Sequence, residues 1–137
     1  IQELYRSSTM LKETLLSSSS FDNKDELLIN RFGLKEKIHK KWKKLGIDFS
    51  NADLMQINAR LHDSVLYEAI EIIKKKYLIV DKPSRKTTIL EIGFDHKDEL
   101  LAKSFNENLV IIVNKFYNRT RTQKTGKNLM KKLITIH

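Results

Sequence analysis

The stretch His96–Lys132, HKDELLAKSFNENLVIIVNKFYNRTRTQKTGKNLMKK, decides how this chain is read. It opens as an apolar amphipathic helix. It then continues as a polar, basic one, with no proline and Gly126 as its single glycine. Leu101, Phe105, Leu109, Ile112 and Phe116 recur at helical spacing and predict the buried stripe. Asp95 is placed to cap the helix. Asp98 and Glu99 fall in its first turn, where negative charge complements the backbone dipole. The stripe lapses from Asn118 to Asn128 and returns at Met130, Leu133, Ile134 and Ile136. A helix from about residue 95 to the end would be on the order of 60 Å long at ~1.5 Å per residue, about twice the diameter of a small domain. Residues 118–137 are therefore expected to project from the core or to fray. A helix that stops near Tyr117 and gives way to a basic tail is the other reading.

Charge sharpens the same contrast. No acidic residue follows Glu107, yet seven Lys or Arg do, among them Arg119, Arg121, Lys124, Lys127 and Lys131. Residues 96–137 hold 9 basic and 3 acidic side chains, so the last third carries most of the net charge of +9. Such a bias suits nucleic acid, anionic headgroups, an acidic polymer or an acidic partner. A length of 137 residues fits one domain with a single core. The absence of cysteine removes disulfides, thiolate metal sites and cysteine nucleophiles. The longest apolar run, Leu109–Val113, falls far short of the ~20 residues of a spanning helix. The chain starts at Ile1 without a signal peptide and reads as a fragment of a longer protein.

Upstream, apolar spacing predicts a helix over Ile1–Leu16, with Ser8 as an alternative start and cap. Ser17–Ser20 reads as a loop and Asp22–Phe32 as a second helix interrupted by Gly33. Leu34–Leu45 reads as a basic amphipathic helix with Leu34, Ile38, Trp42 and Leu45 inward and Gly46 as its C-terminal cap. Ile47-Asp48-Phe49 fits a brief edge strand or an extended link. Ser50–Asp53 resembles a capping box before a helix over Leu54–Lys75, which ends in a lysine run. Tyr77–Asp81 and Thr87–Phe94 predict the strands of a hairpin whose loop holds Pro83, the chain's one proline. The fold expected is α+β: a small sheet with that hairpin, packed on helices, and a long last helix.

Catalytic chemistry is hard to place. The four histidines, His39, His62, His96 and His137, do not pair at metal-ligand spacing, and each reads as a surface or half-buried residue. The acidic pairs Asp25-Glu26 and Asp98-Glu99 are explained by their positions at helix starts. Four glycines leave no phosphate cradle, and no nucleophile motif occurs. No enzyme, metal or cofactor is expected. A glycan hydrolase or transferase would need two acids about 5–10 Å apart across a cleft. A basic nucleic-acid-binding module rests on Lys37–Lys44 and Arg119–Lys132 as phosphate-neutralising blocks. Trp42 lies on an apolar face, which makes it core and not a stacking platform.

Motif order carries a family resemblance. SSTMLKETLL (Ser7–Leu16), KKYLIVDKP (Lys75–Pro83) and TTILEIGF (Thr87–Phe94) precede DHKDELLAKSFNENLVIIVNKFY (Asp95–Tyr117). In this order they resemble the periplasmic part of bacterial polysaccharide co-polymerases, the Wzz-type chain-length determinants, in their Bacteroidetes-like form. Asp98, Leu100, Ala102, Asn106, Asn114 and Tyr117 occupy the family's pattern, and Glu99 stands where a proline is usual. The resemblance implies that 1–137 is a single domain fragment from the periplasmic side of the inner membrane. It implies a non-catalytic homo-oligomer that sets O-antigen or capsule length with a Wzy-type polymerase and is anchored by membrane helices outside this stretch. Arg119, Arg121, Lys124, Lys127 and Lys131 would then line a subunit interface or face polysaccharide, or solvate the helix. The basic nucleic-acid-binding module is the alternative.

Overall fold

The structure is a computed structural model that describes residues 2–81 and 91–136, with side chains over 3–81 and 91–120. It is α+β. Seven helices and two separate antiparallel hairpins share one core among the described residues.

The chain begins with α1 (Gln2–Tyr5) and α2 (Ser8–Leu16). The break between them falls where the serines interrupt the apolar spacing. Ser7 is the cap, its Oγ accepting from the Met10 N–H. Met10, Leu11 and Leu15 are fully covered, and Thr14, also buried, satisfies its hydroxyl on the Met10 carbonyl at 2.8 Å.

Ser17–Ser20 is not a loop. Ser18–Phe21 forms β1 and pairs with β2 (Lys24–Leu27), and the helix expected to start at Asp22 starts at Leu28 instead. The reason is the turn. Asp22 and Asn23 both take positive φ, 51° and 67°, the arrangement of a two-residue turn whose twist matches that of paired strands. Two short polar residues tolerate that conformation, and their backbone geometry outweighs the low strand propensity of serine.

Next come α3 (Leu28–Lys35) and α4 (His39–Lys44). Gly33 does not interrupt α3 but lies inside it. A Cβ there would sit 2.3 Å from Cζ3 of Trp42, so the glycine admits the indole. The single helix expected over Leu34–Leu45 is split by Lys37, whose φ is 62°. This rotation turns Trp42 inward and leaves Leu34 and Leu45 exposed. Gly46 (φ 74°) ends α4 as expected. The Gly46 N–H donates to the Lys43 carbonyl and the Ile47 N–H to the Trp42 carbonyl, a paired C-terminal cap. Ile47 and Phe49 are buried in an extended link.

The helix expected over Leu54–Lys75 is two helices: α5 (Ala52–Ile57), capped by Asn51, and α6 (Ala59–Ile72). They are separated at Asn58, whose side chain donates to the Gly46 carbonyl. After the break only Met55 of α5 packs against the core as a partly buried residue, and Ile57 is 75% exposed. Beyond α6 the chain widens into a π-helical segment, Ile73–Tyr77, and enters β3 (Leu78–Asp81).

β3 pairs with β4 (Glu91–Phe94) in the register Leu78 to Phe94 and Val80 to Ile92. The expected strand portion Thr87–Leu90 and the Pro83 loop lie outside the described residues. The last helix, α7 (Glu99–Ile136), packs its first half against α2, α3 and β4. Leu101, Phe105, Leu109 and Val113 are fully buried there. Ile112 is only half-buried and Phe116 is exposed, so the buried stripe ends about one turn earlier than the spacing suggests.

Candidate functional site

The root of α7 is held by a polar chain that crosses the core's edge. Arg31 on α3 donates from Nε to Asp98 at 2.7 Å, and both side chains are about nine-tenths covered. Asp98, not Asp95, occupies the capping position. Its carbonyl accepts the Ala102 N–H at 2.9 Å, and its carboxylate receives the Leu101 N–H. Asp95 is used otherwise, its N–H donating to the Tyr77 carbonyl and prolonging the β3–β4 ladder.

Between them stands His96. Its Nδ1 accepts the Asp98 N–H at 3.0 Å, which leaves Nε2 as the protonated nitrogen, 3.3 Å from Glu36 Oε1. The hydroxyl of Tyr77 meets the same carboxylate. Hydrogen bonding to Glu36, burial and the Glu36 charge push the phenol up to about 12. The His96 ring lies against Tyr77, Phe94 and Phe32 with centroids 4.6, 5.8 and 6.2 Å away. Burial acts to raise the Asp98 carboxyl. The Arg31 hydrogen bond and charge, with Lys35 and the Leu101 N–H, outweigh it and hold the group below its usual range.

A cleft of about 620 Å³ opens over this chain, with Lys35, Lys76 and Lys97 at its edge. Each residue of the chain is engaged by another member, so the arrangement fixes the angle at which α7 leaves the domain. Its members come from α3, the turn after it, the π-helical segment and the start of α7. Sixty-seven residues separate Arg31 from Asp98, so no local spacing could have revealed the pair.

α7 then leaves the core. After Val113 every residue from Asn114 to Thr120 is exposed, including Phe116 at 37% and Tyr117 at 41%. Arg119 belongs to this exposed segment. The other candidate interface residues, Arg121, Lys124, Lys127 and Lys131, lie outside the residues whose side chains are described, so the set is not brought together on described ground.

His62 departs from the surface or half-buried placement expected of it. At 2% exposure it accepts the Asp48 N–H on Nε2 and donates from Nδ1 to the Asn58 carbonyl, so it ties the Ile47–Phe49 link to α6. Among the described residues no group of His, Asp or Glu is arranged to hold a metal ion. No helix among them is long and apolar enough to cross a membrane. Comparison with protein-family models, curated proteins and solved structures gives no match.

Proposed function

We propose that this chain is the periplasmic portion of a Wzz-type polysaccharide co-polymerase. It works without catalysis, as one copy in a homo-oligomer at the inner membrane, and sets the length of an O-antigen or capsular polysaccharide made by a Wzy-type polymerase. One observation carries the reading: α7 runs from a pinned root through the core and continues past it with two turns exposed on every side. Among the described residues of the arm, Phe116 and Tyr117 find little cover within the domain. Neighbouring copies arranged around an axis would cover Phe116 and Tyr117 and bring the basic residues from Arg119 onward to face each other's acidic surfaces or the polymer. The motif order from Ser7 to Tyr117 supports the same family. The Lys37–Lys44 block gives little help to nucleic-acid binding, because Trp42 is buried, packed against Gly33 and Phe49.

The test is genetic. Deleting the parent gene in its bacterium should broaden the length distribution of surface polysaccharide on a gel, and the intact gene should restore the modal band. An unchanged distribution after deletion would end this reading.

A further inference from the structure

A second cavity lies away from the root of α7, on the side of α3 and α4 that the polar chain does not use. Its volume is about 360 Å³, at the lower end of the range for small-molecule sites and enough for one small ring. Its apolar floor is the edge of Trp42 with Ile47 and Phe49, all buried, and Leu34 forms a wall at 43% exposure. Leu34 is left exposed by the turn at Lys37, while its neighbours Phe32 and Gly33 are buried.

Polar groups stand around that floor with valences to spare. His39 Nδ1 is buried and meets no partner. Asn30 lines the cavity and uses its amide nitrogen on Ser50 Oγ at 2.8 Å. Asp48 takes the Ser50 N–H on Oδ1 and keeps its second oxygen. Glu26 and Lys43 complete the rim. A buried polar atom without a partner costs free energy, and a ligand that supplied the partner would recover it.

The chemistry narrows the occupant. A purely apolar ligand would cover Leu34 but leave the polar rim unpaired. An anion would meet two carboxylates against one ammonium, a net negative rim. A neutral pyranose has both features required: an apolar C–H face for Leu34 and the Trp42 edge, and a circle of hydroxyls that donate to Asp48, Glu26 and Asn30 and accept from Lys43. We infer that this cavity is a binding site for one neutral sugar ring. The choice of a sugar over another neutral polyol rests on the polysaccharide reading above; the cavity and its open valences do not.

Trp42 is the chain's single tryptophan and lines both this cavity and a neighbouring groove with Ile38 and Leu45, so substitutions at Lys43 and His39, which line this cavity and not that groove, assign the signal. The purified chain is titrated with methyl glucoside, N-acetylglucosamine and glucuronate. The expected result is a saturable change in Trp42 emission with a neutral glycoside in the millimolar range, and weaker binding of glucuronate. Lys43→Ala, at an exposed position, should weaken it about fivefold, the scale of one lost hydrogen bond. His39→Gln should weaken it similarly while urea unfolding verifies that the variant is folded. No saturable change with either neutral glycoside, binding indifferent to both substitutions, or tighter binding of glucuronate would each overturn the inference. An unaltered polysaccharide length on gene deletion would remove the co-polymerase reading but leave this titration result intact. A silent titration beside a broadened length distribution would do the reverse.

Discussion

Gly33 shows how one missing atom orders this domain. Alanine is the better helix former by about 1 kcal/mol, so propensity alone favours Gly33→Ala inside α3. The added Cβ would lie 2.3 and 2.6 Å from two carbons of the Trp42 ring. Displacing a packed indole costs more than the propensity gain, and the variant should lose roughly 1–3 kcal/mol in urea unfolding. Sequence patterning recognised Trp42 as core but took Gly33 for a breaker, because a glycine's packing partner is invisible without the partner's position. The same limit applies to Asp98. Its acidity fits a helix start, yet its role depends on Arg31, which approaches only in the folded chain. Because its carboxyl is held below the usual range, the pair's contribution is complete above about pH 4 and is lost as pH falls through the lowered value. Asp98→Asn should remove that acid-side dependence and cost on the order of 2 kcal/mol at neutral pH, measured by denaturation at a series of pH values. Tyr77 titrates with the opposite sign. Its proton is held more tightly in the fold, so its contribution is present below the ordinary phenol value of ~10. It is lost as pH rises toward about 12, and Tyr77→Phe should flatten that alkaline step.

Among the elements, those built on a long apolar period were legible and those built on backbone sign changes were not. α7 and the β3–β4 hairpin follow from spacing and alternation, as does the C-terminal cap at Gly46. The β1–β2 hairpin was hidden because four serines carry no hydrophobic signal. Its information sits in Asp22 and Asn23, both at positive φ. Replacing Asn23 by valine, for which the left-handed region is costly, should destabilise the protein by about 1–2 kcal/mol, whereas Asn23→Gly should be neutral or better. Along α7, burial grades the stripe. Phe105, with no exposure, should cost about 3–5 kcal/mol as alanine. Ile112, half-buried, should cost clearly less under the same measurement. Equal losses would mean that the helix is rotated from the position described.

For the whole molecule, the balance between core and arm matters most. Among the described residues of α7 the buried stripe ends at Val113, and Phe116 and Tyr117 lie beyond it. Changing both to serine should shift the unfolding midpoint little, since exposed positions away from special features stay within about 0.5 kcal/mol. On the proposed co-polymerase function, the same change should weaken self-association, read by cross-linking or sedimentation, and should broaden polysaccharide length. Lys124→Glu with Lys127→Glu should likewise spare folding and alter length. Unchanged length with either pair would mean that the arm's side chains only keep it in water. The fold class was readable from the chain because it depends on periodicity. The candidate sites were not, because their members are brought together by turns at Lys37, Asn58 and His96 that no spacing encodes.

The π-helical segment between α6 and β3 gives the lysine run a meaning other than charge. A π turn holds one residue more than an α turn, so Ile73–Tyr77 behaves as a helix that has absorbed a single-residue insertion. The surplus residue turns Ile73 into the core and still brings Tyr77 round to Glu36, while Lys75 and Lys76 stay outside. Lys75 and Lys76 should therefore tolerate substitution, whereas Lys74 also donates to Ser8 Oγ at 2.9 Å, and the number of lysines should not tolerate change. Deleting one would close the turn to α geometry, swing Tyr77 by about 100° away from Glu36 and His96, and move β3 one residue along β4. The run is a spacer counted in residues, and a lineage of such chains would keep its length more strictly than its composition.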